Sequence, residues 1–281
     1  MKLTILSENN THTREPYLMG EPGFCCYIEC GGKRLLLDTG YYGIALKNAE
    51  TLGIDLNGLD YIAVSHGHDD HTHGLLPLLE SGLDISGTKL VVHPKALRRK
   101  VVDGAEAGFP WPEEEVRKRF DVIEAAQPVE LAEDLWYLGQ IPRTNDFENR
   151  EPIGFVVEEG SEEPDFMTDD TALAYRTDRG VFVITGCSHS GVCNICEYAK
   201  KALGCDRLLG VIGGFHLLRP GRQLDETIRY FEKERPEKFC PCHCISMRCK
   251  FQIAQALPIE DVAVGYELEI EAGSAGSEKD V

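Results

Sequence analysis

The chain has 281 residues and a formal net charge of −18, with a sequence pI of about 4.9. Such a surface repels nucleic acid and anionic membranes at long range, and no apolar run is long enough for a membrane-spanning helix. Hydrophobic residues at 42% and charged residues at 27% describe a globular chain able to bury a substantial core. The first residues, Met1 to Ser7, begin like a strand and lack the apolar core of a secretion signal, so a cytoplasmic location is expected. In that setting the 11 cysteines are expected as thiols or ligands rather than disulfides.

Residues 2–6 read as an opening strand, and the polar stretch Ser7 to Pro22 as a loop. Phe24–Glu29 and Lys33–Leu37 are apolar runs around Gly31-Gly32, a hairpin pattern. Asp38-Thr39-Gly40 ends the second run, and Ile44 to Leu52 has helical spacing that stops at Gly53. Leu59 to Val64 is a buried strand, and Gly74 to Ser81 a helix that packs its leucines. Lys89–Val92 is a further strand ending at His93-Pro94, where a lone histidine is expected to be structural. Residues 95–128 mix charges and prolines. Arg98-Arg99-Lys100 is expected on a solvated helix face, and a lid insertion is expected around residues 100–128.

Val129 to Gly139 suggests more strand, and Glu158 to Pro164 an acidic loop. Asp169-Asp170 precede the strand Leu173–Arg176, and Val181–Thr185 is strongly apolar. A helix over Val192–Leu203 follows, with its N-terminus expected to favour a bound anion. Arg207–Ile212 is a strand, Leu224–Glu234 a helix, and Phe239 opens a short strand into Cys240-Pro241-Cys242-His243-Cys244. A helix over Cys249–Leu257 and a strand over Val262–Ile270 close the fold, and residues 271–281 are expected to be disordered. The second half thus repeats the first: hairpin, buried strand, histidine-bearing loop. That pattern suits an α/β (α+β), four-layer αββα sandwich forming one domain over residues 1–270.

The densest chemistry is Ser65-His66-Gly67-His68-Asp69-Asp70-His71-Thr72-His73-Gly74, a glycine-bounded loop at a strand end. Imidazole and carboxylate at this spacing suit zinc, manganese or iron. His66 and His68 can turn toward one ion while Asp70 and His71 serve a second, so two divalent metal ions are expected, zinc first with manganese and iron as alternatives. Accidental histidines in a solvated turn would need four of the nine in the chain to fall within ten residues. Cys193-x-x-Cys196 and the cysteines of 240–249 could form a separate metal site, but irregular spacing favours buried thiols.

His66-x-His68-x-Asp70-His71 resembles the signature of the metallo-β-lactamase superfamily. Leu35-Leu36-Leu37-Asp38-Thr39-Gly40, Gly186-Cys187-Ser188-His189-Ser190-Gly191, Gly213-Gly214-Phe215-His216-Leu217 and Cys242-His243-Cys244 sharpen it. Together they resemble the 7,8-dihydropterin-6-methyl-4-(β-D-ribofuranosyl)aminobenzene 5'-phosphate synthase-like branch. The resemblance implies the metallo-β-lactamase sandwich, with Asp38 bracing the metal loop. Cys187 stands where other members place a bridging aspartate or ligand cysteine; direct metal binding and a core thiol are equally open. Arg143 matches an arginine common in the family and is the candidate for an anion contact.

This reading assigns His66, His68 and His189 to one metal and Asp70, His71 and His243 to the other. Asp70 and His216 are the catalytic candidates, and Arg143, His216 and Asp169 the substrate-binding ones. The activity expected is a dinuclear metal-dependent hydrolase of a small ester, lactone or phosphoester using a metal-bound hydroxide. The alternatives are a synthase-like transferase acting on a phosphorylated ribosyl substrate, and a non-hydrolytic iron redox or sensor protein. The partner expected is a small molecule, which can be anionic because two cations invert the local field. Departures from the family pattern are Asp69, His73, Pro22 and Cys244-Ile245-Ser246.

Overall fold

The computed structural model describes residues 1–158 and 160–272. The tail expected over 271–281 lies outside the described residues from position 273 on. The first half runs β1 (Lys2–Ser7), β2 (Cys25–Cys30), β3 (Lys33–Leu37), α1 (Ile44–Leu52), β4 (Tyr61–Ala63), α2 (Asp69–Thr72), α3 (Leu75–Glu80), β5 (Lys89–Val92), β6 (Lys100–Val102), β7 (Ala105–Glu106), α4 (Glu113–Arg119) and β8 (Asp121–Glu124). The second runs β9 (Val129–Ala132), β10 (Leu135–Tyr137), β11 (Phe155–Glu158), β12 (Ser161–Pro164), β13 (Ala172–Thr177), β14 (Gly180–Thr185), α5 (Val192–Leu203), β15 (Leu208–Gly214), α6 (Arg222–Glu234), β16 (Lys238–Cys242), α7 (Met247–Ala256) and β17 (Glu267–Glu269).

Alternation decides which face each strand turns inward. Leu35 and Leu37 enter the core between the sheets, while Leu36 packs against α1 and α3. Phe182 and Ile184 enter the same core from the other side, while Val181 and Val183 face α5. The result is a seven-stranded sheet, β17-β1-β2-β3-β4-β5-β8, facing a six-stranded one, β16-β15-β14-β13-β10-β9. Helices cover both outer faces, giving the αββα layering. Tyr137 ties the layers by donating its hydroxyl to Val64 O at 3.0 Å.

Local chemistry agrees with the helix bounds. The backbone N–H of Gly53, left-handed at φ 70°, bonds Ala49 O and Glu50 O and stops α1. α4 carries three glutamates in its first turn and three basic residues in its last, matching the helix dipole.

Each large sheet divides into an antiparallel and a parallel part. β3, β4, β5 and β8 run parallel in one, and β14, β15 and β16 in the other. Parallel strands send their C-terminal ends to one edge, the usual place for a site in α/β architecture. That edge receives Asp38 and the 65–74 loop from the first half, and Cys187, His189, His216 and His243 from the second.

Two segments differ from expectation. β11 and β12 pair antiparallel and join β6 and β7 in a third, four-stranded sheet. The region 100–128 is therefore distributed: β6 and β7 belong to the third sheet, and β8 extends the seven-stranded one. Lys100 sits in β6 and is 1% exposed, not on a solvated helix face, because two buried carboxylates hold its ammonium.

Candidate metal centre

The 65–74 loop is held tightly. A Cβ at Gly67 would run into the Ala96 carbonyl oxygen, and one at Gly74 into that of Thr39. Only glycine permits these backbone approaches. Asp38, Ser188, His216 and His243, all at strand ends, adopt positive φ of 61°, 59°, 47° and 53°. Such backbone is uncommon outside glycine and concentrates at functional sites.

The histidines converge by their ring nitrogens. His66 Nε2 lies 3.2 Å from His68 Nδ1 and 3.2 Å from His189 Nε2. His71 Nε2 lies 3.2 Å from His243 Nε2 and 3.2 Å from Cys187 Sγ. Asp70 Oδ2 stands 3.5 Å from His71 Nε2 and 3.4 Å from His243 Nε2. The donor atoms of Asp70, His71, Cys187 and His243 all fall within 4.8 Å of one another; so do those of His66, Cys187 and His189, and of His66, His68 and Asp70. Asp70 and Cys187 thus stand between the two sets.

Partners behind the rings fix their tautomers. Asp38 accepts from Ser65 N and Ser65 Oγ, each at 2.7 Å, and Ser65 Oγ accepts from His66 Nδ1 at 2.9 Å. Asp38 Oδ2 also accepts from His71 Nδ1 at 2.7 Å. Asn9 Oδ1 accepts from His243 Nδ1 at 3.0 Å, and Glu8 accepts from the His243 backbone N–H at 2.7 Å. When neutral, each of these three rings turns the lone pair of Nε2 toward its neighbours. Burial, with repulsion from the adjoining histidines, pushes His66 and His189 well below their ordinary pKa. Burial and Lys100 take His68 down to about 4. Burial also opposes charge on His71, but Asp70 and Asp38 overcome it and raise that ring. Burial pushes the Cys187 thiol well up. Lone pairs facing one another at 3.2 Å cannot all be hydrogen-bonded, whereas a cation between them satisfies every one. The donor set fits a divalent metal.

The other candidates fall differently. His216 stacks on His189 at 4.4 Å between centroids, and burial with His243 lowers its pKa; none of the donor groups includes it. Arg143 donates Nη2 to the carbonyls of Phe166 and Met167 at 2.8 and 2.7 Å. Nη2 thus holds the backbone of residues 166–167, while the buried Nε has no hydrogen-bond partner among the described residues. Asp169 is 1% exposed, accepting from Gly67 N at 2.8 Å and pairing with Lys100 at 3.0 Å. It braces the metal loop rather than facing a substrate. The N-terminus of α5 is likewise taken, since buried Glu148 accepts from Cys193 N and Asn194 N at 2.9 Å each. Cys193, Cys196, Cys240, Cys242 and Cys249 are buried in the apolar cores, and His93 is buried at 2% exposure.

Sequence alone assigns no site role to Asn9, Glu8, Ser65 or Glu148, and reads Lys100 only as part of a solvated basic cluster. Asn9 and Glu8 directly follow the first strand, and Ser65 precedes the first ligand histidine. For these three, a polar residue at a strand end is the signal the sequence offers.

With this geometry, the comparisons are specific. Residues 18–243 match the family model of the metallo-beta-lactamase superfamily. The chain belongs to that superfamily. It is 31% identical to an uncharacterized protein of Methanocaldococcus jannaschii, over 90% of this chain and 94% of that one. It is 28% identical to the 7,8-dihydropterin-6-methyl-4-(beta-D-ribofuranosyl)-aminobenzene-5'-phosphate synthase of the same organism, over 89% of each. A crystal structure described as a metal-dependent hydrolase of the beta-lactamase superfamily superimposes with TM-score 0.82 at 30% identity, over 96% of this chain and 99% of that one. The family fold and the His, Asp and Cys clusters together imply a divalent metal. No described helix is long and apolar enough to cross a membrane.

Proposed function

We propose that the chain is a dinuclear metal-dependent hydrolase acting on a small ester, lactone or phosphoester. The observation that carries this reading is the pairing of two donor sets through Asp70 and Cys187. His66, His68 and His189 would hold one ion, and Asp70, His71 and His243, with Cys187 between the sets, the other. Zinc suits these donors, and manganese and iron are the alternatives. Bound there, the metals supply Lewis acidity and a nucleophile from water at neutral pH.

The chain's own groups do the rest. The Asp70 carboxylate is held far below its usual range: burial works against charge, but His71 and His243 outweigh it. It stays an acceptor and can orient a water proton. Burial and His243 lower the His216 pKa and favour its neutral form, so the ring can accept a proton from water beside His189 and hand that same proton on to a leaving oxygen. A recess of about 550 Å³ lined by His73, Leu97, Phe109 and Trp111 lies beside the metal loop. Its size suits a small molecule.

Elemental analysis of protein purified without added metal or chelator tests the reading, alongside His68→Ala. The expected result is about two zinc or manganese ions per chain, fewer in the variant, and turnover in a phosphoester and lactone screen. Iron with sulfide retained in the variant would refute it. The synthase relative supports a second reading, a transferase acting on a phosphorylated ribosyl substrate. That reading requires turnover that depends on a pterin or aminobenzoate, with simple phosphodiesters left intact.

A further inference from the structure

Lys100 reaches the metal loop from the third sheet. Its ammonium donates to Asp165 Oδ2 at 2.6 Å, Asp169 Oδ1 at 3.0 Å and Met167 Sδ at 3.8 Å. An ammonium has three protons, and all three are used. Asp169 turns its second oxygen to Gly67 N at 2.8 Å, and Gly67 lies between the ligand candidates His66 and His68. The lysine stem also leaves no room for a side chain at this glycine: a Cβ there would stand 3.1 Å from Lys100 Cε. Asp165 holds the same segment from its other end, accepting from Met167 N at 2.7 Å. From there the chain bonds both ligand loops: Thr171 N donates to Ser65 O at 2.9 Å, and Ser190 N to Asp170 Oδ2 at 2.8 Å. Residues 165–171 form a strap between the two halves of the site, and Lys100 is its anchor.

We propose that Lys100 is a positioning residue for the metal loop. It fixes the Asp169 carboxylate that clamps Gly67, and thereby the spacing of His66 and His68. An ammonium buried this deeply is strongly disfavoured unless its partners are fixed; here they are fixed, and one of them reaches the backbone between two ligands. Without it, two buried carboxylates would face each other with no counter-charge, and Asp169 would turn from Gly67. The clamp acts behind the ligands, where outer partners commonly change metal affinity by about 10- to 100-fold.

The proposal rests on the reading of the centre as a metal site, and the test separates the two. Metal-free protein and its Lys100→Met and Asp169→Asn variants are titrated with cobalt(II), recording the visible absorption bands and the affinity, with melting of each metal-free protein measured alongside. Lys100→Met is expected to weaken the first cobalt by about tenfold or more and shift its bands. Asp169→Asn, which keeps a neutral acceptor for Gly67, is expected to do so by a smaller factor, and to carry the test if Lys100→Met does not fold. Combining the two should add little to Lys100→Met alone, because both act through one clamp. Folded variants that melt earlier but bind cobalt with wild-type affinity and bands would reduce Lys100 to a structural tie and overturn the proposal. Wild-type protein that takes up no cobalt would overturn the metal reading and this proposal together.

Discussion

His66, His68 and His189 meet as three imidazoles, whereas the neighbouring set adds the carboxylate of Asp70 and the thiol of Cys187 to His71 and His243. The backing differs too. The all-imidazole set leans on Ser65 and on the strap of residues 165–171, with Lys100 behind it. The mixed set leans on Asn9 and Glu8 from the first-strand loop. One set is neutral and held by groups that surround it. The other is anionic and attracts a cation, but also draws a proton onto His71. Two cations a few ångströms apart repel each other, so an anionic donor between them lowers the cost of loading the second. Asp38 braces both sets from behind, through Ser65 to His66 and directly to His71.

Removing that shared pillar should give the largest effect. Asp38→Ala is expected to weaken both ions by about 100-fold, leaving well under one metal per chain after gel filtration, read by elemental analysis. Wild-type content in this variant would show that the two sets are braced independently. His71→Ala comes next and should separate the sets. One ion of the two is expected to be lost while the all-imidazole set still loads, visible as a halved stoichiometry in the same measurement. Equal loss of both ions would mean that the sets load only as a pair. Asn9→Ala should be milder, weakening only the mixed set by about tenfold, because the His243 tautomer loses its partner while the ring remains. Competition with a chelator reads this as one shifted step of two.

The legibility of these features follows from the range of the interactions that make them. Strand alternation and the glycine-bounded loop are local, so the sandwich layering and the cluster at 66–71 could be read directly from neighbouring residues. The pseudo-repeat places His189 at a strand end, and the short strand opened by Phe239 does the same for His243. Lys100, Asn9 and Glu148 act across long separations, and nothing local distinguishes them. Lys100 resembled a solvated cation because its partners, Asp165 and Asp169, lie 65 and 69 residues away. An isolated carboxylate such as Asp169 reads as a substrate contact, but in the fold it pairs with the buried Lys100, and Arg143, read from the family resemblance, gives Nη2 to two backbone carbonyls. The N-terminus of α5 reads as open for the same reason, because Glu148, which accepts from Cys193 N there, lies 45 residues away in sequence.

The last predicted effect falls on stability rather than on metal content and lies in the strap, where neighbouring carboxylates are driven in opposite directions. Burial disfavours charge on both. For Asp169, Lys100 and the Gly67 N–H outweigh that burial and hold the pKa below the usual value. For Asp170 they have no counterpart: Ser190 N satisfies one oxygen, the other has no protein partner, and burial pushes the group up to about 6. The sign follows. Metal-free folded protein keeps a proton on Asp170 that the unfolded chain releases near pH 4, so this group removes stability as pH rises from about 4 to 6. A shift of about two units limits the effect to about 3 kcal/mol. Asp169 acts oppositely, contributing stability above the unfolded value near 4 and losing it as pH falls through its lowered folded pKa. Melting of metal-free wild type and Asp170→Asn across pH 4 to 7 should therefore diverge, the variant gaining relative stability toward pH 7. Parallel curves would mean that Asp170 finds a partner for its second oxygen in solution. In that case the all-imidazole set would be backed by two ionised carboxylates rather than one.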